Sequence, residues 1–377
     1  KRAMRVDDML DMVRIDDVMM SPDGARVFYT ESHLNWEKNE YEKTLFSIPF
    51  VGGEAIPIVR EGGESFRISP DGKSLAFMRE IDDRPQIFLL SLELGEPWPL
   101  TEWRGEIVDF RWSGDSRGIF FLAQEAFSEE REKEIELGDD AIYVNEGPHG
   151  KNFGRWTHLF KLDLASKAVT SILEEELLID SFDVSPDGSR VVLAARPGNR
   201  GNFPFFSELY VVATEGGAPR QVTQNQAIEV DPLWAPDGRT IAFHASSSER
   251  FDLRNGYLWI LNPDTGELVQ LEGHRTGEID NLVWSADGKS LLFNEVHGTN
   301  TNLYRLEVAT DRLQALSEAV GTRRVEAYSQ DRTRVAYTFS DFVTPPDLYT
   351  STLEGAEPVR TATEPATPGP DEPLIFE

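Results

Sequence analysis

A four-residue motif returns along the whole chain and limits it to a repeat architecture. It reads Ser21-Pro22-Asp23-Gly24, Ser69-Pro70-Asp71-Gly72, Ser113-Gly114-Asp115-Ser116, Ser185-Pro186-Asp187-Gly188, Ala235-Pro236-Asp237-Gly238, Ser285-Ala286-Asp287-Gly288 and a degraded Ser329-Gln330-Asp331-Arg332. The shared aspartates are 48, 44, 72, 50, 50 and 44 residues apart. A period of this size means small sheets that bury a core only by stacking on their neighbours. The motif has the chemistry of a tight turn. Proline presets φ, serine and aspartate bond nearby backbone amides, and glycine takes the left-handed conformation that closes the hairpin.

A continuous apolar run follows each turn, as in Val27-Phe28-Tyr29, Leu75-Ala76-Phe77 and Ile119-Phe120-Phe121. Such a run fits a strand covered on both faces. A third strand recurs further on, as in Gln86-Ile87-Phe88-Leu89-Leu90, and then a fourth that ends in threonine or serine, as in Arg220-Gln221-Val222-Thr223. The expected fold is therefore all-β, a seven-bladed β-propeller of four-stranded antiparallel blades preceded by a short helix. Six or eight blades are the alternatives, because the third and seventh motifs lack the proline and the closing glycine. The first and last blades each supply all four of their own strands. Ring closure should then rest on apolar packing and not on a borrowed strand.

Residues 5–15 carry Val6, Met9, Leu10 and Val13 at helical spacing, which predicts an amphipathic helix whose apolar face needs a partner. Residues 361–377 are rich in proline, threonine and acid and read as a linker, ending in an apolar Leu374-Ile375-Phe376 that looks like the start of a strand. The division expected is a lead-in over 1–18, a propeller over 19–360 and the linker over 361–377. The 72-residue gap between motifs hides an insertion at 124–157, with a helix-prone Glu129-Glu130-Arg131-Glu132-Lys133-Glu134. Long excursions are also expected at 31–43, 79–85, 195–207, 245–256 and 338–346. These join second to third strands on one face of the disc, and that face is the expected working face, since function sits on variable loops held by a rigid scaffold. Three groups on it are candidate contacts for substrate or partner. Phe203, Phe205 and Phe206 form an aromatic cluster, with burial in the core as the competing reading. Arg250 and Arg254 can receive a carboxylate or simply sit in surface ion pairs. Glu129 and Glu130 can hold a cationic amino terminus or line a solvated helix face.

Composition removes several function classes. Aspartate and glutamate number 66 against 37 lysines and arginines, a formal charge of −29, which opposes binding to nucleic acid or anionic membranes. There is no cysteine, so thiol catalysis and thiolate metal sites are excluded. No apolar run is long enough to cross a bilayer as a helix. None of the six histidines stands at metal-ligand spacing from another, and His158 and His244 fall in or beside strands as structural residues. Neither a Gly-x-Ser-x-Gly nucleophile turn nor a phosphate-binding glycine loop is present. No cofactor, metal or catalytic residue is therefore assigned. Carboxylates converging inside the ring, as in a glycosidase, are a minor alternative.

The motif, with Trp234 and Trp284 just before two of its copies, resembles the repeats of TolB-like proteins and of the prolyl oligopeptidase (S9) family. The opening Val6-Asp7-Asp8-Met9-Leu10, the insertion with Gly138-Asp139-Asp140, the stretch Gly154-Arg155-Trp156-Thr157-His158-Leu159 and the closing Pro346-Asp347-Leu348-Tyr349 are similar to acylaminoacyl-peptidase-like members. The resemblance implies a propeller that covers the active site of a following α/β-hydrolase domain and admits only short peptides. The partners it implies are that hydrolase domain, in cis and missing here, and peptide substrates. The family's catalytic serine, aspartate and histidine have no counterparts in this chain. A chain starting at Lys1, with an opening like that which follows a signal peptide, tilts the expected location toward the periplasm or outside the cell. A stand-alone TolB-like scaffold that binds proteins is the rival reading.

Overall fold

The computed structural model describes residues 2–3, 5–60, 62–138, 155–198, 206–224, 227–246, 256–274, 278–355, 359–361 and 374–375. Apart from two short α-helices, Val6–Leu10 and Glu129–Glu136, the regular elements among these residues are strands.

Each motif builds the same turn. The amide at its fourth position donates to the carbonyl at its first, at 2.8 Å in Ser21–Gly24 and 2.9 Å in Ser329–Arg332. In the first copy Asp23 Oδ1 accepts from the Ser21 hydroxyl at 2.6 Å and from the Ala25 amide at 2.9 Å. Gly24 closes it with φ of 68°, and where the third and seventh copies lack glycine, Ser116 and Arg332 take the same conformation at 60° and 58°. Both of these side chains reach a neighbouring sheet. Ser116 Oγ accepts from the Asp71 amide at 3.0 Å, and Arg332 Nε donates to the Trp284 carbonyl at 3.2 Å. The departures from the repeat are thus sites of bonding between sheets.

The apolar run after every turn is buried to 3 % exposure or less, from Val27-Phe28-Tyr29 to Val335-Ala336-Tyr337. An aromatic ring recurs at one register position. Tyr29, Phe77, Phe121, Phe243, Phe293 and Tyr337 lie opposite Phe46, Phe88, Phe160, Trp259, Tyr304 and Tyr349, with ring centroids 5.3–6.4 Å apart. Cross-strand aromatic pairs of this kind set register as well as adding packing energy.

Four-stranded antiparallel sheets occupy 14–59, 64–99, 106–173, 178–221 and 229–271, each with its strands in chain order. Residues 279–360 form an eight-stranded sheet in which Thr301 of one group pairs in parallel with Thr322 of the next. Apolar clusters join successive sheets: Phe28, Leu45, Phe66 and Phe77 link the first to the second, and Met78, Ile107 and Phe121 link the second to the third. The last such cluster packs Ala327, Ala336 and Leu348 against Met20, Val27 and Tyr29, so the array closes on itself. Among the described residues no strand joins the first sheet to the last across this seam. Its polar bonds run from the Gln330 amide to the Pro22 carbonyl at 2.9 Å, Arg334 Nη1 to the Gly24 carbonyl at 2.9 Å, and Thr350 Oγ1 to the Phe50 carbonyl at 2.7 Å.

Two expectations are corrected. The helix near the start covers only Val6–Leu10, because from Arg14 onward the backbone pairs with the second strand, Arg14 opposite Ser32 and Ile15 opposite Glu31. A ladder with a whole sheet behind it outweighs the helical pattern that Val13 continues. The segments 31–43 and 79–85 are not open excursions. Pairing runs out to Asn35–Glu40 and Ile81–Arg84, and the second hairpin closes through Asp82 and Asp83 with φ of 51° and 58°.

Candidate functional site

Strand direction decides what shares a face. The first strand begins at Arg14 and runs toward the motif turn, and the last, Val359–Arg360, runs back. Both ends of the sheet region therefore leave on the face that holds the second-to-third connections and the sheet-to-sheet crossings. Farther out, Arg2 and Ala3 pair in parallel with Leu374 and Ile375, so the two chain ends run side by side.

The lead-in is fastened to the long first hairpin on this face. Trp36 Nε1 donates to Asp11 Oδ1 at 2.8 Å, the Tyr41 hydroxyl to the Leu10 carbonyl at 3.4 Å, and the Arg14 guanidinium lies 4.6 Å from the Tyr41 ring centre. Val6 and Met9 on the short helix remain exposed, as do Trp36 in the first hairpin and Phe342 and Val343 in the connection before the strand Asp347–Thr352. These side chains form apolar surface at the point where the chain leaves the sheets.

The insertion in the third sheet has a built neck. Gln124 pairs with Thr157 as the last rung of the ladder. Beyond it Glu125 is held four ways: its Oε1 lies 2.9 Å from His158 Nε2, its Oε2 accepts from the Trp156 amide at 3.3 Å, its carbonyl accepts from Arg155 Nε at 2.7 Å, and its amide donates to the Trp156 carbonyl at 3.0 Å. The Arg155 guanidinium lies 3.8 Å from the Phe127 ring centre, and its burial pulls its pKa down against the opposing pull of Glu106 and Glu125. His158, a strand residue, thus also braces the neck. The helix Glu129–Glu136 starts just past it, with Ser128 Oγ accepting from the Arg131 amide at 3.2 Å. Glu132 anchors the helix to neighbouring segments, 3.1 Å from Arg84 and 3.9 Å from Arg104.

Beside the neck lies a cavity of about 490 Å³, lined by Trp103, Ala123, Ala126 and Phe160, with Glu102 and Glu174 exposed at its rim. Trp103 and Phe160 stand 4.6 Å apart, centre to centre. Gly105 makes the close approach possible, since a Cβ there would fall 2.2 Å from the Gln124 carbonyl oxygen. Sequence reasoning passed over Trp103. The available signal was a tryptophan in a crossing segment, two residues before a glycine.

Of the candidate contacts, the described ones lie apart from one another. Glu129 and Glu130 occupy the exposed first turn of the insertion helix. Phe206 is 44 % exposed at the entrance to the third strand of the fourth sheet. Phe203, Phe205, Arg250 and Arg254 lie outside the described residues. Among the described residues no group of three or more histidines and carboxylates can hold a metal.

No family model matches the chain. It is 22 % identical over 334 residues to dipeptidyl-peptidase 5 of Porphyromonas gingivalis, an alignment covering 82 % of this chain and 48 % of that protein. It is 24 % identical over 256 residues to an uncharacterised peptidase, YuxL, of Bacillus subtilis, covering 67 % of this chain and 32 % of that one. The chain thus spans 32 % and 48 % of the length of these two curated relatives. Acylaminoacyl peptidase from Pyrococcus horikoshii superposes with a TM-score of 0.71 at 18 % identity, covering 94 % of this chain and 53 % of that one. The β-propeller domain of a trilobed protease from Pyrococcus furiosus, described as having an open velcro topology, gives 0.65 at 18 %, covering 93 % and 95 %. The structure matches the propeller domain of S9 peptidases. The relatives named here are peptidases.

Proposed function

We propose that this chain is the propeller part of an S9-type serine peptidase, and that it gates and selects peptides for an α/β-hydrolase domain joined to its ends. In this reading the eight-stranded sheet is two blades in contact, which gives seven blades beginning at Arg14 rather than at residue 19 and running to 360, with the residues before Arg14 as lead-in and 361–377 leading to the hydrolase. The observation that carries it is directional: both chain ends, the insertion neck and the exposed apolar side chains at the seam share one face. A hydrolase domain tethered there covers that face, and peptides reach the nucleophile past the insertion and hairpins. The propeller's own work is then exclusion and orientation of substrate, with the chemistry supplied by the partner domain.

The test compares the 377-residue chain with a longer product of the same gene on acylaminoacyl and dipeptidyl chromogenic substrates. The expected result is hydrolysis by the longer protein and none by the propeller alone. Hydrolysis by the propeller alone, or a gene that stops near Glu377 and whose product captures a stable protein partner, overturns the proposal. The second outcome favours the TolB-like scaffold.

A further inference from the structure

Resting on the peptide-selecting role above, we propose that the cavity beside the insertion neck is a subsite for a basic peptide side chain, a lysine or an arginine. The walls are mainly aromatic and aliphatic, with Gln124 and His158 also lining them. The Trp103 and Phe160 rings lie 4.6 Å apart, and the short side chains of Ala123 and Ala126 leave the space open. Gly105 contributes no side chain, and the backbone around it leaves no room for one. A volume of about 490 Å³ suits a long side chain rather than a folded segment.

The rim decides which long side chain. Glu102 and Glu174 are exposed there and make no ion pair with the described residues. Glu125 is already committed to His158 at 2.9 Å, so the two rim carboxylates are the ones free to read a ligand. The cation on the same rim, Arg104, lies 3.9 Å from Glu132 of the insertion helix. A lysine or arginine stem packs along aromatic carbons, its cation attracted by the electron-rich ring face, while its head stays wet between two carboxylates. An aliphatic residue fills the same walls and gains nothing from the rim. Sheet-to-sheet crossings and the roots of second-to-third connections supply the lining, so the subsite lies on the face assigned to substrate.

The probes are two fluorescein-labelled octapeptides, acetylated at the amino terminus so that the only cation is the side chain under test. They differ at one central position, arginine in one and norleucine in the other. Binding to the 377-residue chain is read by anisotropy. The arginine peptide is expected to bind about tenfold more tightly at low salt, with a smaller preference at high salt. The double variant E102Q/E174Q should abolish the preference and leave the norleucine peptide unchanged. W103L should weaken the arginine peptide by about threefold and leave the norleucine peptide less affected, measured well below a melting temperature that falls because Trp103 also packs on Phe121 and Phe160. Equal affinities, or a preference that survives E102Q/E174Q, overturn the subsite and leave the peptide-binding face intact. Binding of neither peptide overturns both.

Discussion

Gly105 has no space for a side chain, and at this position the conflict is with backbone rather than with a movable side-chain end. A methyl group would meet the Gln124 carbonyl oxygen at 2.2 Å and the Trp103 ring nitrogen at 3.1 Å. Gly105→Ala should therefore destabilise the protein by about 2 kcal/mol, seen as a lower denaturation midpoint, and should spread Trp103 from Phe160. Asp183 gives a residue-scale prediction with a pH signature. Its Oδ2 accepts from the Trp234 amide at 2.8 Å, a bond between successive sheets, while burial pushes its carboxyl up to about 6 despite the lowering effects of that bond and of Arg111. A carboxyl whose folded pKa is raised costs stability where it is ionised in the fold, so the cost is present above about 6 and fades as the pH falls toward the ordinary carboxylate value. Asp183→Asn keeps an acceptor for Trp234 without the charge. It should be more stable than the parent at pH 8 by about 1 kcal/mol, a modest figure because Asp183 keeps some solvent contact, and the gap should close between pH 6 and 4 in thermal melts. Neither effect was legible in the sequence, because burial and inter-sheet distance are not local. The turn motifs were legible because their bonds span at most five residues, from Ser21 Oγ to the Arg26 amide at 2.9 Å. The substitutions Ser116 and Arg332 looked like erosion only because their partners, Asp71 and Trp284, stand in other repeats.

At the scale of elements, local pattern and tertiary context part company where a strand has a sheet to join. The apolar runs after each motif could be read directly, since a strand buried on both faces must be continuously apolar. The first strands of the sheets were harder to see, because a bulge interrupts their alternation. Register slips between Asp16 and Met19, between Val230 and Leu233, and between Asp280 and Val283, with Asp17, Asp231 and Asn281 at φ of 46°, 50° and 50°. Extra residues at these points break period-two alternation and increase twist, which suits strands fanned around an axis. The long first hairpin shows the opposite effect, with ladder pairing extended through residues that carry loop-like charge. Its use is to hold the lead-in, and that use is testable. Trp36→Ala removes the bond to Asp11, worth about 1 kcal/mol locally. Amide exchange over residues 5–14 should accelerate several-fold while the sheet amides keep their rates. Equal acceleration in the sheets would mean that the hairpin supports the ring and not the lead-in.

At the scale of the molecule, the ring closes where its two sequence ends meet, without the covalent continuity of the chain at that seam. A propeller that shares a strand across its seam gains a row of ladder hydrogen bonds there. Among the described residues this one relies on the apolar cluster of Met20, Val27 and Tyr29 with Ala327, Ala336 and Leu348, on the backbone bond from Gln330 to Pro22 and on a few side-chain bonds. Arg334 is the most exposed to challenge among these, because it both donates to the Gly24 carbonyl at 2.9 Å and lies 4.9 Å from the Phe50 ring centre. Arg334→Ala should cost about 2 kcal/mol, one charge-assisted bond plus a cation–ring contact. Adding Thr350→Val, which removes the donor to the Phe50 carbonyl, should cost about 1 kcal/mol more if the two sites act independently. The formal charge of −29 bears on the same seam. Self-repulsion in a strongly acidic compact state falls as salt screens it, and it works most effectively where the least structure opposes separation. Melts of the double variant should therefore gain more from added sodium chloride than melts of the parent, and limited proteolysis should first release fragments from the first and last sheets. Equal salt gains and cuts confined to the insertion would show instead that the seam is no weaker than the other contacts between sheets, and that apolar packing alone holds the ring shut.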